Sequence, residues 1–151
     1  LFDLVDENNN TFLHLVVKAG NEPLLRSVSA SGKMTKEVIT KQNVFGHNVI
    51  SLAYEDRKQG CFNILRDSFE LSENETLKNF KCAVSQEIYY EPYSVITTGS
   101  SAVLTVDLEY LRNFQVSGQM NCPRTGIPIK EIRLNHDLKA SIISLLKDIT
   151  L

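Results

Sequence analysis

Apolar side chains recur every three to four residues through the first half of the chain, gather into short β-like runs in the middle, and return to helical spacing at the end. In the opening stretch Phe12, Leu13, Val16 and Val17 form one apolar face. Asn10 or Thr11 stands where a helix cap belongs, and Gly20 can end the segment. Pro23 suits a first-turn position, and Leu24, Leu25 and Val28 continue at helical spacing, so a second helix is expected from Pro23 to about Val28. Ser29 to Gly32 reads as a turn, and Val38 and Ile39 form a short apolar stretch.

The pattern then returns. Asn43-Val-Phe-Gly46-His-Asn48-Val-Ile50-Ser51-Leu-Ala53 lies over Asp6-Glu-Asn-Asn9-Asn-Thr11-Phe-Leu13-His14-Leu-Val16 without a gap, at an offset of 37 residues. A second pair of helices is expected at Asn48 to Glu55 and Gln59 to Phe69, the latter carrying Phe62, Ile64, Leu65 and Phe69. The turn between them looks lengthened, with Gly60 as its glycine. These two units resemble ankyrin repeats: Thr11-Phe12-Leu13-His14 stands where that family has Thr-Pro-Leu-His, followed by Val16-Val17 for Ala-Ala and by Gly20. In the second copy Val49 replaces the Pro and Ser51 the His. The resemblance implies that His14 makes a structural hydrogen bond and does not act as a base. Two unrelated helical hairpins would give the same apolar faces. Solenoid units bury their faces on neighbours, and two cannot easily stand alone. Either further repeats precede Leu1, which is no initiator Met, or the pair packs on the C-terminal half of the chain.

Ser72-Glu-Asn-Glu75 has a capping-box pattern and is expected to open a short polar helix linking the parts at 73–79. Beyond it Val95-Ile96 and Val103-Leu104 bracket Thr97-Thr-Gly99-Ser-Ser101, which reads as a β-hairpin turning at Gly99. A helix is expected from Asp107 to about Val116, with Leu108, Leu111 and Phe114 or Gln115 on one face and Gly118 as its stop. Asn121 to Pro128 is a loop by its prolines and glycine. Asn135 caps a last helix striped by Leu138, Ile142, Leu145, Leu146 and Ile149. The fold class is therefore α+β: a helical repeat segment at 1–72, then a small domain at 80–151.

Composition narrows the function. Of 151 residues 42% are hydrophobic and 23% charged, which is the balance of a globular domain, and the net charge of -2 leaves no basic footprint for nucleic acid. No apolar run approaches the roughly 20 residues of a membrane span. Cys61, Cys82 and Cys122 are an odd number with no close pair, so neither a disulfide framework nor a tetrahedral zinc site is expected. A reducing, cytoplasmic setting is the expectation. Asn9-Asn-Thr11 and Asn74-Glu-Thr76 match the glycosylation sequon, but nothing else reads as secreted.

Phe80-Lys-Cys82-Ala-Val84-Ser85-Gln-Glu87 opens a pattern that resembles the U-box, the zinc-free relative of the RING domain. That family begins with an aromatic and Cys-Pro-Ile-Ser-x-Glu. Glu91-Pro92 stands for its Asp-Pro, Gly99 for its hairpin glycine, and Thr105-Val-Asp107 for Thr-Tyr-Asp. Leu111-Arg-Asn-Phe114 answers Ile-x-x-Trp, Cys122-Pro123-Arg124-Thr125 answers Cys-Pro-x-Thr, and Ile132-Arg-Leu134-Asn135-His136-Asp-Leu138 answers Leu-x-Pro-Asn-His-x-Leu. The resemblance covers 80 to about 151. It implies a ubiquitin ligase that acts without a covalent intermediate and without a cofactor or metal, holding a charged ubiquitin-conjugating enzyme in a reactive posture. Val84, Phe114 and Pro123 would form the docking groove for that enzyme, with Arg124 beside them. Ser85, Glu87, Thr125 and Asn135 would supply the polar network that replaces zinc. Where many active members carry Arg, this chain has Gly126.

The implied partners are a conjugating enzyme charged with ubiquitin and, through the ankyrin part, a protein substrate. Repeats joined to divergent U-boxes bring to mind bacterial effectors, in which case the cytosol would be the host's. Other readings stay open on the residues alone. Val84 and Phe114 serve equally as core, and Asn135 as a plain helix cap. The whole could be an adaptor that binds proteins without transferring ubiquitin. A cysteine enzyme with Cys82 or Cys122 and His136 as base would need a thiolate beside an imidazole.

Overall fold

Helix α1 (Phe12–Lys18) begins where the sequence places its cap. The Thr11 backbone is extended, its Oγ accepts the His14 amide, and the His14 ring accepts the Thr11 amide in return. In the computed structural model the described residues are 4–82, 88, 90–97, 103–107 and 129–151; of 96, 97, 103, 104, 129 and 130 only the backbone is described. Helix α2 (Glu22–Ala30) is capped by Asn21 and carries Pro23 in its first turn. It takes in Ser29 and Ala30, so the turn is confined to Ser31 and Gly32. Val38 and Ile39 lie in a one-turn helix α3 (Lys36–Thr40) capped by Thr35, with Ile39 fully buried. Helix α4 (Val49–Glu55) repeats the start of α1: Asn48 accepts the Ser51 amide and the Ser51 hydroxyl accepts the Asn48 amide. Helix α5 (Gln59–Ser68) comes next.

The 37-residue offset holds in backbone detail. The Asp6 carboxylate accepts the amides of Asn8 and Asn10, and Asn43 Oδ1 accepts those of Phe45 and His47. Asn9 and Gly46, partners in the alignment, both have positive φ, at 60° and 79°. Gly20 and Arg57 are partners as well, at 66° and 57°. The Gly20 and Asn21 amides donate to Val17 O and Val16 O, as those of Arg57 and Lys58 do to Tyr54 O and Ala53 O. The second inter-helix turn is thus no longer than the first. Gly60 sits in the first turn of α5 and is not the turn glycine, because Arg57 itself adopts the left-handed conformation.

The two repeats pack α1 on α4 and α2 on α5. Leu13, Val17, Leu25, Ile50, Ala53, Phe62 and Leu65 lose all solvent exposure, and Tyr54 meets Phe62 edge to face with centroids 5.3 Å apart. Polar bonds lock the register: Asn43 Nδ2 donates to Asn10 Oδ1 at 2.9 Å, and the Val44 amide to Asn8 O at 3.0 Å.

The chain divides into two units, Leu1–Lys78 with Ile142–Leu151, and Asn79–Ser141. The chain end completes the first unit: Ile142, Leu146 and Ile149 are buried there, and Asn48 Nδ2 donates to Leu146 O at 2.6 Å. Gln42 Nε2 donates to Lys147 O, and Asn74 Nδ2 to Thr150 O. The linker helix expected at 73–79 is not an α-helix. Two 3-10 turns, Leu71–Glu73 and Lys78–Phe80, flank an extended Asn74 whose Oδ1 accepts the Thr76 amide. That local bond competes with the helical one, and Ser72 lies buried inside the first turn.

The second unit is built on strands β1 (Pro92–Thr97), β2 (Val103–Asp107) and β3 (Ile129–Leu134), antiparallel in the order β2-β1-β3. Val95 faces Leu104 and Ile96 faces Val103, the pairing the hairpin reading requires. Strand β3 is not announced by the sequence pattern. Its apolar residues Ile129, Ile132 and Leu134 break strict alternation, and the register against β1 shifts between Ile96 and Thr97. Helix α6 (His136–Lys147) closes the chain from the Asn135 cap. The class is α+β, helices with a small antiparallel sheet. The expected hairpin turn at Gly99, the helix from 108 to 116 and the loop at 121–128 lie outside the described residues; Asp107 itself ends β2.

Candidate functional site

Asn135 lies at the meeting of β3 and α6, and its groups are all engaged. Its amide donates to Pro92 O at 2.8 Å, its Oδ1 accepts the Leu138 amide at 3.0 Å, and its Nδ2 reaches Ser94 Oγ at 3.4 Å. The cap reading holds for this residue, which starts α6 and ties that start to the central strand.

One turn along α6, Lys139 Nζ contacts Glu91 Oε1 at 2.7 Å. Both side chains are largely withdrawn from water, Glu91 the more so, which makes the pair an anchor that cannot lose one member cheaply. Asp107, at the end of β2, accepts the amides of Tyr90 (3.1 Å) and Glu91 (2.6 Å) and so fixes the entry into β1. Three strand and helix ends are thus joined through Asp107, Glu91, Asn135 and Lys139, with Val95, Val106 and Tyr90 buried in the same unit. The cluster is a polar brace that holds backbone, in a unit too small to rely on apolar burial alone.

Of the predicted site residues, only Asn135 is described. Val84, Phe114, Pro123 and Arg124, named for the docking groove, lie outside the described residues, as do Ser85, Glu87 and Thr125 of the network and Gly126. The brace residues Glu91, Asp107 and Lys139 were not singled out for it in the sequence. Glu91 and Asp107 stand in motif positions, which is a usable signal; Lys139 can be inferred from the Asn135 cap only once α6 is known to turn toward β1.

Cys82 is fully buried, and a thiol without access to solvent presents no nucleophile to a substrate. In the repeat unit burial, with Glu22 adding to it, pushes the Cys61 thiol above its ordinary range. Cys122 lies outside the described residues. Among the described residues no group of three His, Cys, Asp or Glu side chains could hold a metal ion, and no helix is long and apolar enough to cross a membrane. The repeat unit also bears an open cleft of about 370 Å³ bordered by Lys36, Phe69, Glu70 and Asn74. No protein-family model matches the chain, and no curated protein or solved structure matches it.

Proposed function

We propose that the chain is a U-box-type ubiquitin ligase whose ankyrin-like repeats hold the protein to be modified. The observation that carries the reading is convergence. Glu91, Asp107 and Asn135, far apart in sequence and each standing in a U-box-like motif position, join one polar network. A hairpin followed by an Asn-capped terminal helix agrees with the same reading. In the repeat unit, the capping boxes and the structural role of His14 support the ankyrin-like assignment.

On this reading the chain forms no bond with ubiquitin. Val84, Phe114 and Pro123 dock the conjugating enzyme through apolar contact, Arg124 borders that surface, and the thioester is held in a posture from which transfer is fast. The test is ubiquitin-chain formation in a reconstituted reaction with a panel of conjugating enzymes. Val84→Arg should abolish transfer while circular dichroism stays unchanged, since a charge costs little on a free surface but must be desolvated unpaired once a partner docks. A folded and fully active Val84→Arg variant would sink the docking assignment. Gly126, in the place of an expected Arg, favours the second reading of a non-transferring adaptor. Wild-type protein inactive with every enzyme, and rescued by Gly126→Arg, would establish that reading.

A further inference from the structure

Between the two repeats lies a buried histidine whose hydrogen-bond partners are matched to the neutral ring. His14 has no solvent exposure. Its Nδ1 sits 3.1 Å from the Thr11 amide, which can only donate, and its Nε2 sits 2.9 Å from His47 O, which can only accept. The imidazole is therefore neutral, with its proton on Nε2. A proton added at Nδ1 would point at the Thr11 N–H. The one acceptor within reach there is Thr11 Oγ, at 2.8 Å, which would have to turn its own hydrogen away while the Thr11 amide lost its acceptor.

We propose that this contact makes the joint between the two repeats acid-sensitive: a proton on Nδ1 takes the acceptor away from the Thr11 amide and opens the cap of α1, the element that carries the His14 bond to the second repeat. The surrounding charges do not rescue the protonated ring. Asp6, from the loop before α1, attracts it, but that carboxylate is already engaged by the Asn8 and Asn10 amides. The His47 carbonyl favours the charged ring through its bond to Nε2, while the His47 ring and Lys41, just after α3, oppose it, and burial outweighs the bond. His47, whose carbonyl receives the bond, titrates at the same joint. Its Nδ1 lies 3.0 Å from Ser51 Oγ and its Nε2 2.5 Å from Glu55 Oε2, with Asp56 also favouring the charged ring and Lys147 opposing it.

Burial holds both rings below the ordinary histidine range, in His47 despite the pull of Glu55. A group whose folded pKa is depressed contributes its stability above its unfolded value, near 6.5, and that contribution is lost as pH falls below it. The joint is firm at neutral pH and loosens in mild acid.

Repeat 2 supplies the variant that tests this, because Ser51 closes the same capping box without a titrating ring. Melting temperatures of the full chain should fall by several degrees between about pH 7.5 and about pH 5.5, with faster amide exchange at Val44 and His47. His14→Ser should melt lower than wild type at about pH 7.5 and lose distinctly less on acidification. In the wild type, proton NMR should show the His14 ring titrating below the ordinary histidine value of about 6.5. A His14 ring that titrates at or above that value would overturn the proposal, as would a His14→Ser variant as acid-sensitive as wild type.

Discussion

Glu91 and Lys139 show how much the setting of one residue decides. The same pairing of opposite charges occurs at Glu75–Lys78 and Glu131–Arg133, where the side chains lie in water and can be removed without measurable loss. The Glu91–Lys139 pair is withdrawn from solvent, and removing one member leaves the other charged and alone. Lys139→Met should destabilise the second unit by about 3 kcal/mol, read as a lower denaturant midpoint. Glu91→Leu with Lys139→Met should recover most of that loss, since the pair itself adds little over a packed apolar replacement. A double variant as unstable as the single one would show that the carboxylate is needed for the backbone at β1 and not only for the lysine. Asp107 makes that outcome readable, because it holds the Tyr90 and Glu91 amides independently of the Glu91 side chain.

At the scale of elements, two glycines that look alike in sequence have opposite roles. Gly20 ends α1 with a φ of 66°, where an L side chain is strained although a methyl would only touch Lys58. Gly20→Ala should therefore cost about 1 kcal/mol in thermal or denaturant unfolding. Gly60 lies in a helix, and a methyl there meets only the mobile carboxylate end of Glu22. Gly60→Ala should be neutral or stabilising by up to about 0.5 kcal/mol once that carboxylate swings aside. Equal losses from both substitutions would contradict the assignment of the turns. The misreading of Gly60 has a physical origin: composition marks a turn by its glycine, yet Arg57 takes the left-handed conformation without one. The starts of α1 and α4 at Thr11 and Asn48 and the pairing of the hairpin strands were legible because each is set by local spacing, whereas the reciprocal bonds of His14 and Ser51 that complete the two capping boxes were not read from the sequence. Strand β3 was not, since its register shift destroys the alternation that announces a strand. In the site, Asn135 was legible as a cap, while the Glu91–Lys139 bond joins residues whose proximity depends on the path of α6.

At the scale of the whole chain, two repeats are expected to be too few, and the structure of the first unit gives a reason why it holds. Residues Ile142–Leu151 return to it and bury Ile142, Leu146 and Ile149, while Asn48 and Gln42 donate to the carbonyls at the end of α6. Those carbonyls have no partner inside their own helix, and the Asn48 Nδ2 donor is directed at them, so each satisfies the other. Burying three such side chains stabilises by roughly 1.5–3 kcal/mol each, together comparable with the whole margin of a small domain. A fragment ending near residue 78 should then show no cooperative unfolding transition, although both repeats are intact. Leu146→Ala in the full chain should cost about 3 kcal/mol, with raised amide exchange in α4. Asn48→Ala should add to that deficit by less than its separate cost, because the two changes weaken one contact and cannot be independent. A fragment that melts cooperatively at the temperature of the full chain would show that the two repeats bury enough on their own.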